Sequence, residues 1–99
     1  MPSNEIKTDC VIGLMADSIK ELPGVDVCSE FIAKSIRLGE ITAKSLLEDF
    51  GVTIHDVVAD VQAELTLNFG KSGRVEPGED ITLLELAKRM AEFANGRPK

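Results

Sequence analysis

Apolar positions recur along the chain at intervals of three and four, the spacing that lines one face of a helix. The longest such stripe is Ile54, Val57, Val58, Val61, Leu65 and Phe69, and a second is Leu83, Leu86, Ala87, Met90, Phe93 and Ala94. Three Thr residues punctuate the pattern, each preceded by a β-branched apolar residue: Ile41-Thr42, Val52-Thr53 and Ile81-Thr82. A Thr there can accept a hydrogen bond from an orphan N–H of the first turn, while the residue before it staples onto an apolar side chain five positions on. Those partners are Leu46, Val57 and Leu86. Glu85 follows Thr82 by three and makes the third site the best candidate for a reciprocal capping box, ahead of Asp56 at the second and Ser45 at the first. Glycines at 39, 51, 70 and 96 mark helix ends.

These signals predict an all-α fold, a compact bundle of about five short helices, at Thr8–Leu22, Asp26–Leu38, Thr42–Phe50, Thr53–Phe69 and Thr82–Asn95. The fourth is expected to be central. Phe31, Ile32 and Ile36 are expected to form the inner face of the second, and the four Phe residues, Phe31, Phe50, Phe69 and Phe93, to pack in the core. A competing pattern runs through Leu65-Thr66-Leu67-Asn68-Phe69, which alternates with period two. It would make a small β-hairpin near residues 64–76, turning at Gly70-Lys71-Ser72-Gly73 into Arg74-Val75-Glu76. The Gly- and Pro-rich stretch from Gly70 to Asp80 is the expected mobile loop, and residues 1–7 and 97–99 are expected to be flexible ends of one domain spanning 1–99.

Ninety-nine residues, 43% hydrophobic and 28% charged, suffice for one folded domain, and no apolar run approaches the length of a membrane span. Seventeen acids against eleven Lys and Arg give a net charge of -6, the wrong sign for general attraction to phosphate backbones or anionic lipid. The first residues lack the apolar core of a secretory signal, so a cytoplasmic location is expected. Cys10 and Cys28, 18 positions apart and without a CxxC or Cys/His pattern, read as buried free thiols.

Catalytic chemistry finds no foothold in the pattern. His55 is the sole histidine, and no nucleophile and base, acid and base, or set of metal ligands occurs at a spacing that specifies approach. The chain reads as a non-enzyme with no cofactor and no metal. Gly70-Lys71-Ser72-Gly73 resembles the end of a phosphate-binding loop, but Leu65 stands where that loop needs its first glycine.

Residues 43–54 carry a different likeness. A short helix, a glycine turn at Gly51 and a Thr-capped second helix resemble a helix-turn-helix. The chain departs from that pattern at Leu47, where a small residue is expected, and at Asp60, where an apolar one is expected. The resemblance implies a dimeric regulator contacting duplex DNA through Lys34, Arg37, Lys44, Thr53 and His55. Electrostatics opposes it. From Ser45 through Gly70 there is no Lys or Arg, while Glu48, Asp49, Asp56, Asp60 and Glu64 are all acidic.

Asp56, Asp60 and Glu64 fall every fourth residue and form a row on the face opposite the apolar stripe. A solvated surface explains such a row; a docking strip for a basic partner explains it with more content. The leading expectation is an acidic interaction protein, an inhibitor or adaptor that engages the basic surface of a nucleic-acid-handling protein or ribonucleoprotein through Glu48, Asp49, Asp56, Asp60 and Glu64. Small phage-encoded inhibitors of the anti-CRISPR and DNA-mimic kinds are similar in size, acidity and lack of catalytic motif, a likeness of class that no motif carries. A homodimer, sealed through the first or fifth helix, is expected under either reading.

Overall fold

The computed structural model describes residues 5–22, 24–70, 75–78 and 80–96. They form an all-α bundle: α1 (Thr8–Lys20), α2 (Ser29–Arg37), α3 (Ala43–Phe50), α4 (Ile54–Phe69) and α5 (Leu83–Ala94). The strand pattern at 65–69 is overridden, because these residues complete α4, with the Thr66 hydroxyl donating to the Gln62 carbonyl. Leu65 is drawn into the core as the last member of the helical stripe, and Gly70 closes the helix in the left-handed conformation with φ 66°. Residues 75 and 76 are not in a strand, while the turn residues 71–73 and Arg74 lie outside the described residues.

α1, rather than α4, is the hub. It packs against α2, α4 and α5, whereas α3 touches mainly α4. Val11, Ile12, Met15, Ala16 and Ile19 are all buried, a stripe wide enough to face three neighbours. The core is apolar throughout, with no buried polar or charged residue among the described ones.

α2 corrects the inward placement of Phe31, which is 57% exposed. The buried residues are Ile32, Ala33 and Ile36, so the helix is rotated toward Ala33. Gly13 and Ala16 of α1 line the α1–α2 seam together with Ala33, and burying Ile32, Ala33 and Ile36 leaves Phe31, just outside that stripe, on the solvent side. Phe69 and Phe93 are also more than two-fifths exposed, and only Phe50 packs partly against the core. Neither thiol is buried either: Cys10 is half-buried and Cys28, the residue preceding α2, is exposed. Aliphatic side chains fill the interior, which leaves the aromatics and thiols at its margins.

Gly13 sits mid-helix, and a Cβ added there would meet nothing within 4 Å. Gly13→Ala should therefore raise unfolding stability by about 0.5–1 kcal/mol by restricting the unfolded chain. A denaturant titration showing a lower midpoint would contradict the open space at this seam.

All three Thr caps form. Thr42, Thr53 and Thr82 accept from the N–H groups of Ser45, Asp56 and Glu85. The reciprocal box is at the first site, where the Ser45 hydroxyl accepts from the Thr42 N–H at 2.8 Å. At the third, the Glu85 carboxylate turns along the helix to Arg89 at 3.4 Å. The staple partners Leu46, Val57 and Leu86 are buried. Two of the capped starts also bind each other: Ala43 N–H donates to the carbonyl of Ile81, and Leu83 N–H to the carbonyl of Ile41, at 3.0 and 2.9 Å. This antiparallel bridge at Thr42 and Thr82 joins the N-termini of α3 and α5 and satisfies the first orphan amide of each.

The chain's first described residues are held as well. Ile6 is buried, its N–H donates to Asn95 Oδ1 at 2.7 Å, and Asn95 Nδ2 donates back to the Ile6 carbonyl at 2.9 Å. Residues 1–4 and 97–99 lie outside the described residues, as do 71–74 and 79 of the expected mobile loop.

Candidate functional site

α4 buries Ile54, Val57, Val58, Val61 and Leu65, which turns Asp56, Asp60 and Glu64 outward. The row seen in the sequence is therefore real as a helix face. The fold adds what the sequence did not show: α1 runs beside it and brings Asp17, with Glu21 four residues on at the C-cap. A groove between the two helices is lined by Leu14, Asp17, Ser18, Glu21, Asp60, Ala63 and Glu64. Asp60 is oriented by the Ser18 hydroxyl, which donates to its Oδ2 at 2.7 Å across the helix pair. Glu64 Oε1 accepts from Asn68 Nδ2 at 3.3 Å within α4.

Of the acids expected to bind a partner, Asp60 and Glu64 line this groove and Asp56 stands exposed one turn before them. Glu48 and Asp49 are exposed on α3, a separate element. Asp17 and Glu21 were missed. Their spacing of four along α1 was legible, but nothing in the sequence said which face of α1 would lie beside α4.

The residues of the DNA-binding alternative divide. Lys44, Thr53 and His55 share a second groove, formed by α3, the start of α4 and the residues Pro77, Gly78 and Asp80. Thr53's hydroxyl is committed to the Asp56 N–H. Arg37 lies elsewhere, its Nε donating to Asp9 Oδ1 at 3.0 Å, and Lys34 is exposed on α2. The helix that a helix-turn-helix would present to DNA carries the acidic row.

Chemically, the α1–α4 groove offers four carboxylates around a partly apolar lining. Such a site suits a cationic side chain, whose methylene stem can lie along Leu14 and Ala63 while its head reaches carboxylates on either wall. Among the described residues no group of three or more His, Cys, Asp or Glu could hold a metal ion, and no helix is long and apolar enough to cross a membrane. No protein-family model matches the chain, and no curated protein or solved structure is significantly similar to it.

Proposed function

We propose that this protein is a non-catalytic acidic interaction module, an inhibitor or adaptor that docks on the basic surface of a nucleic-acid-handling protein or ribonucleoprotein. The supporting observation is the placement of Asp17 of α1 and Glu21, the residue that caps its end, with Asp60 and Glu64 of α4 around one groove. Like charges at this spacing cost each helix a few tenths of a kcal/mol per pair. A cationic partner converts that cost into attraction and speeds encounter, most strongly at low salt. Arg fits best, because its planar fork bridges two carboxylate oxygens and is weakly hydrated. Machinery that holds nucleic acid presents such Arg and Lys arrays, and the cytoplasm is the compartment this reading implies.

A titration of the isotope-labelled chain with a short Arg-rich peptide, followed by backbone amide shifts, tests the site. The largest shifts are expected around Asp17, Glu21, Asp60 and Glu64; shifts spread evenly over all exposed acids contradict a defined groove.

The convergence of Lys44 and His55 gives the duplex-DNA reading its one structural argument. With Thr53 committed as a cap, Arg37 paired and the acidic row on the same helix, mobility-shift titration is expected to show no retardation of duplex fragments even at low salt. Salt-sensitive retardation would transfer the function to that second groove.

A further inference from the structure

The apolar faces of α1 and α5, on which a dimer seam was expected, are consumed inside the chain. At one end of this packed pair Ile6, two residues before α1, meets Asn95, the residue that caps the end of α5. Asn95 Oδ1 accepts from the Ile6 N–H at 2.7 Å and Asn95 Nδ2 donates to the Ile6 carbonyl at 2.9 Å, so a single carboxamide latches the start of the described chain to its end. The residue after Asn95 is Gly96, exposed and in the left-handed conformation with φ 80°. Of the Asn residues at 4, 68 and 95, only Asn95 precedes a glycine.

That dipeptide carries its own chemistry. With no side chain on Gly96 to hinder approach, its backbone nitrogen can attack Asn95 Cγ and form the new C–N bond of a succinimide ring. The Cγ–Nδ2 bond breaks, and Nδ2 leaves as ammonia with the proton that the backbone nitrogen gives up. Water then adds to either ring carbonyl and opens it, leaving an aspartyl side chain or an isoaspartyl linkage whose backbone runs through the β-carbon.

The folded geometry holds both reacting groups back. The Gly96 N–H donates to the Phe93 carbonyl at 3.0 Å, and the Asn95 ψ of 2° eclipses the Gly96 nitrogen with Asn95's own nitrogen rather than with Cβ. Ring closure needs a rotation of about a third of a turn about the Asn95 Cα–C bond. It also takes the side chain off its staggered rotamer, carrying the carboxamide away from Ile6.

We infer that Asn95-Gly96 is a self-modification site gated by the Ile6 latch: opening of the segment at Ile6 frees the carboxamide, deamidation follows, and the product does not latch again. The aspartyl product keeps an acceptor for the Ile6 N–H but has lost the donor, and it sets a carboxylate oxygen against the Ile6 carbonyl. The isoaspartyl product carries an extra methylene in the main chain, which moves its carboxylate off both partners. Deamidation thus converts a reversible local opening into a lasting one, and adds a negative charge to a chain of net charge -6. Neither Ile6 nor Asn95 lines the α1–α4 groove, so this site stands or falls separately from the proposed partner binding.

Incubation of the full chain at neutral pH, with deamidated molecules counted by anion exchange and located by mass-spectrometric peptide mapping, tests it. Conversion at Asn95 should be about tenfold or more slower in the folded parent than in the same chain unfolded in urea, because the reaction waits on local opening. Ile6→Ala, at a temperature where circular dichroism shows it folded, should raise the folded-state rate several-fold. Ile6→Val, a smaller loss from the same contact, takes its place if the Ala variant unfolds. Amide exchange at Ile6 should be about tenfold or more faster in Asn95→Asp than in the parent. Equal rates in urea and in the folded parent, a folded Ile6 variant no faster than the parent, conversion of Asn68 as fast as of Asn95, or exchange at Ile6 indifferent to Asn95→Asp would each overturn the inference.

Discussion

Replacing Asp17, Glu21, Asp60 and Glu64 together with Lys should reduce affinity for the basic partner by at least about a hundredfold, while the chain stays folded. Each close charge pair at a protein interface typically contributes on the order of 1 kcal/mol or more, and reversal replaces attraction by repulsion, so the four sites supply more than the needed loss. Folding is spared because Asp17, Glu21, Asp60 and Glu64 are exposed and no core residue changes. The Ser18–Asp60 bond is the one described intramolecular hydrogen bond of these side chains across the helix pair that reversal removes. Titration of the partner against both proteins, with circular dichroism as the folding control, reads the outcome. Reversal of Glu48 and Asp49 on α3 is expected to matter less, since they stand on a different element. If that pair proved dominant and the α1–α4 set silent, the docking site would be misplaced.

The second large effect is on stability. Asn95→Ala should destabilise the fold by about 2–4 kcal/mol, lowering the melting temperature by roughly 10 °C or more. The Asn95 side-chain amide meets both backbone groups of Ile6, accepting at 2.7 Å and donating at 2.9 Å, and so pins a segment 89 residues away in sequence. Without it a partly buried N–H and a partly buried C=O lose their partners, and Ile6, a fully buried side chain, loses its anchor. Thermal unfolding checks the magnitude, and amide exchange at Ile6 checks the cause. A variant within about 0.5 kcal/mol of the parent would mean that packing of Ile6 alone holds the segment.

Helix starts were legible because they depend on neighbours in sequence. Thr42, Thr53 and Thr82 cap as expected, and their staples close onto Leu46, Val57 and Leu86. Which cap became reciprocal was not legible: Ser45, the shorter side chain, returns to the Thr42 N–H, while Glu85 is drawn to Arg89. Periodicity fixed a face for each helix but left its rotation open by one residue. That margin put Phe31 outside, since α2 turns Ala33 rather than Phe31 toward Gly13 and Ala16 of α1. The period-two run at 65–69 was decided by tertiary demand, since Leu65 completes the buried stripe of α4.

The site shows the same division. Asp56, Asp60 and Glu64 could be placed in a row from their spacing alone. Asp17 and Glu21 could not be joined to them, because the side of α1 that meets α4 depends on where α2 and α5 occupy the rest of its surface. The clamp of Asn95 on Ile6 was likewise hidden, as Asn-Gly after a helix reads as an ordinary helix end.

The most direct measurement is capture from native-host lysate by the tagged protein, run with and without nuclease beside the chain bearing Lys at positions 17, 21, 60 and 64. A basic protein is expected in both nuclease arms and is expected to be lost with the reversed chain. Recovery that survives the reversal, or that disappears on nuclease treatment, would contradict docking of a basic protein on the α1–α4 groove.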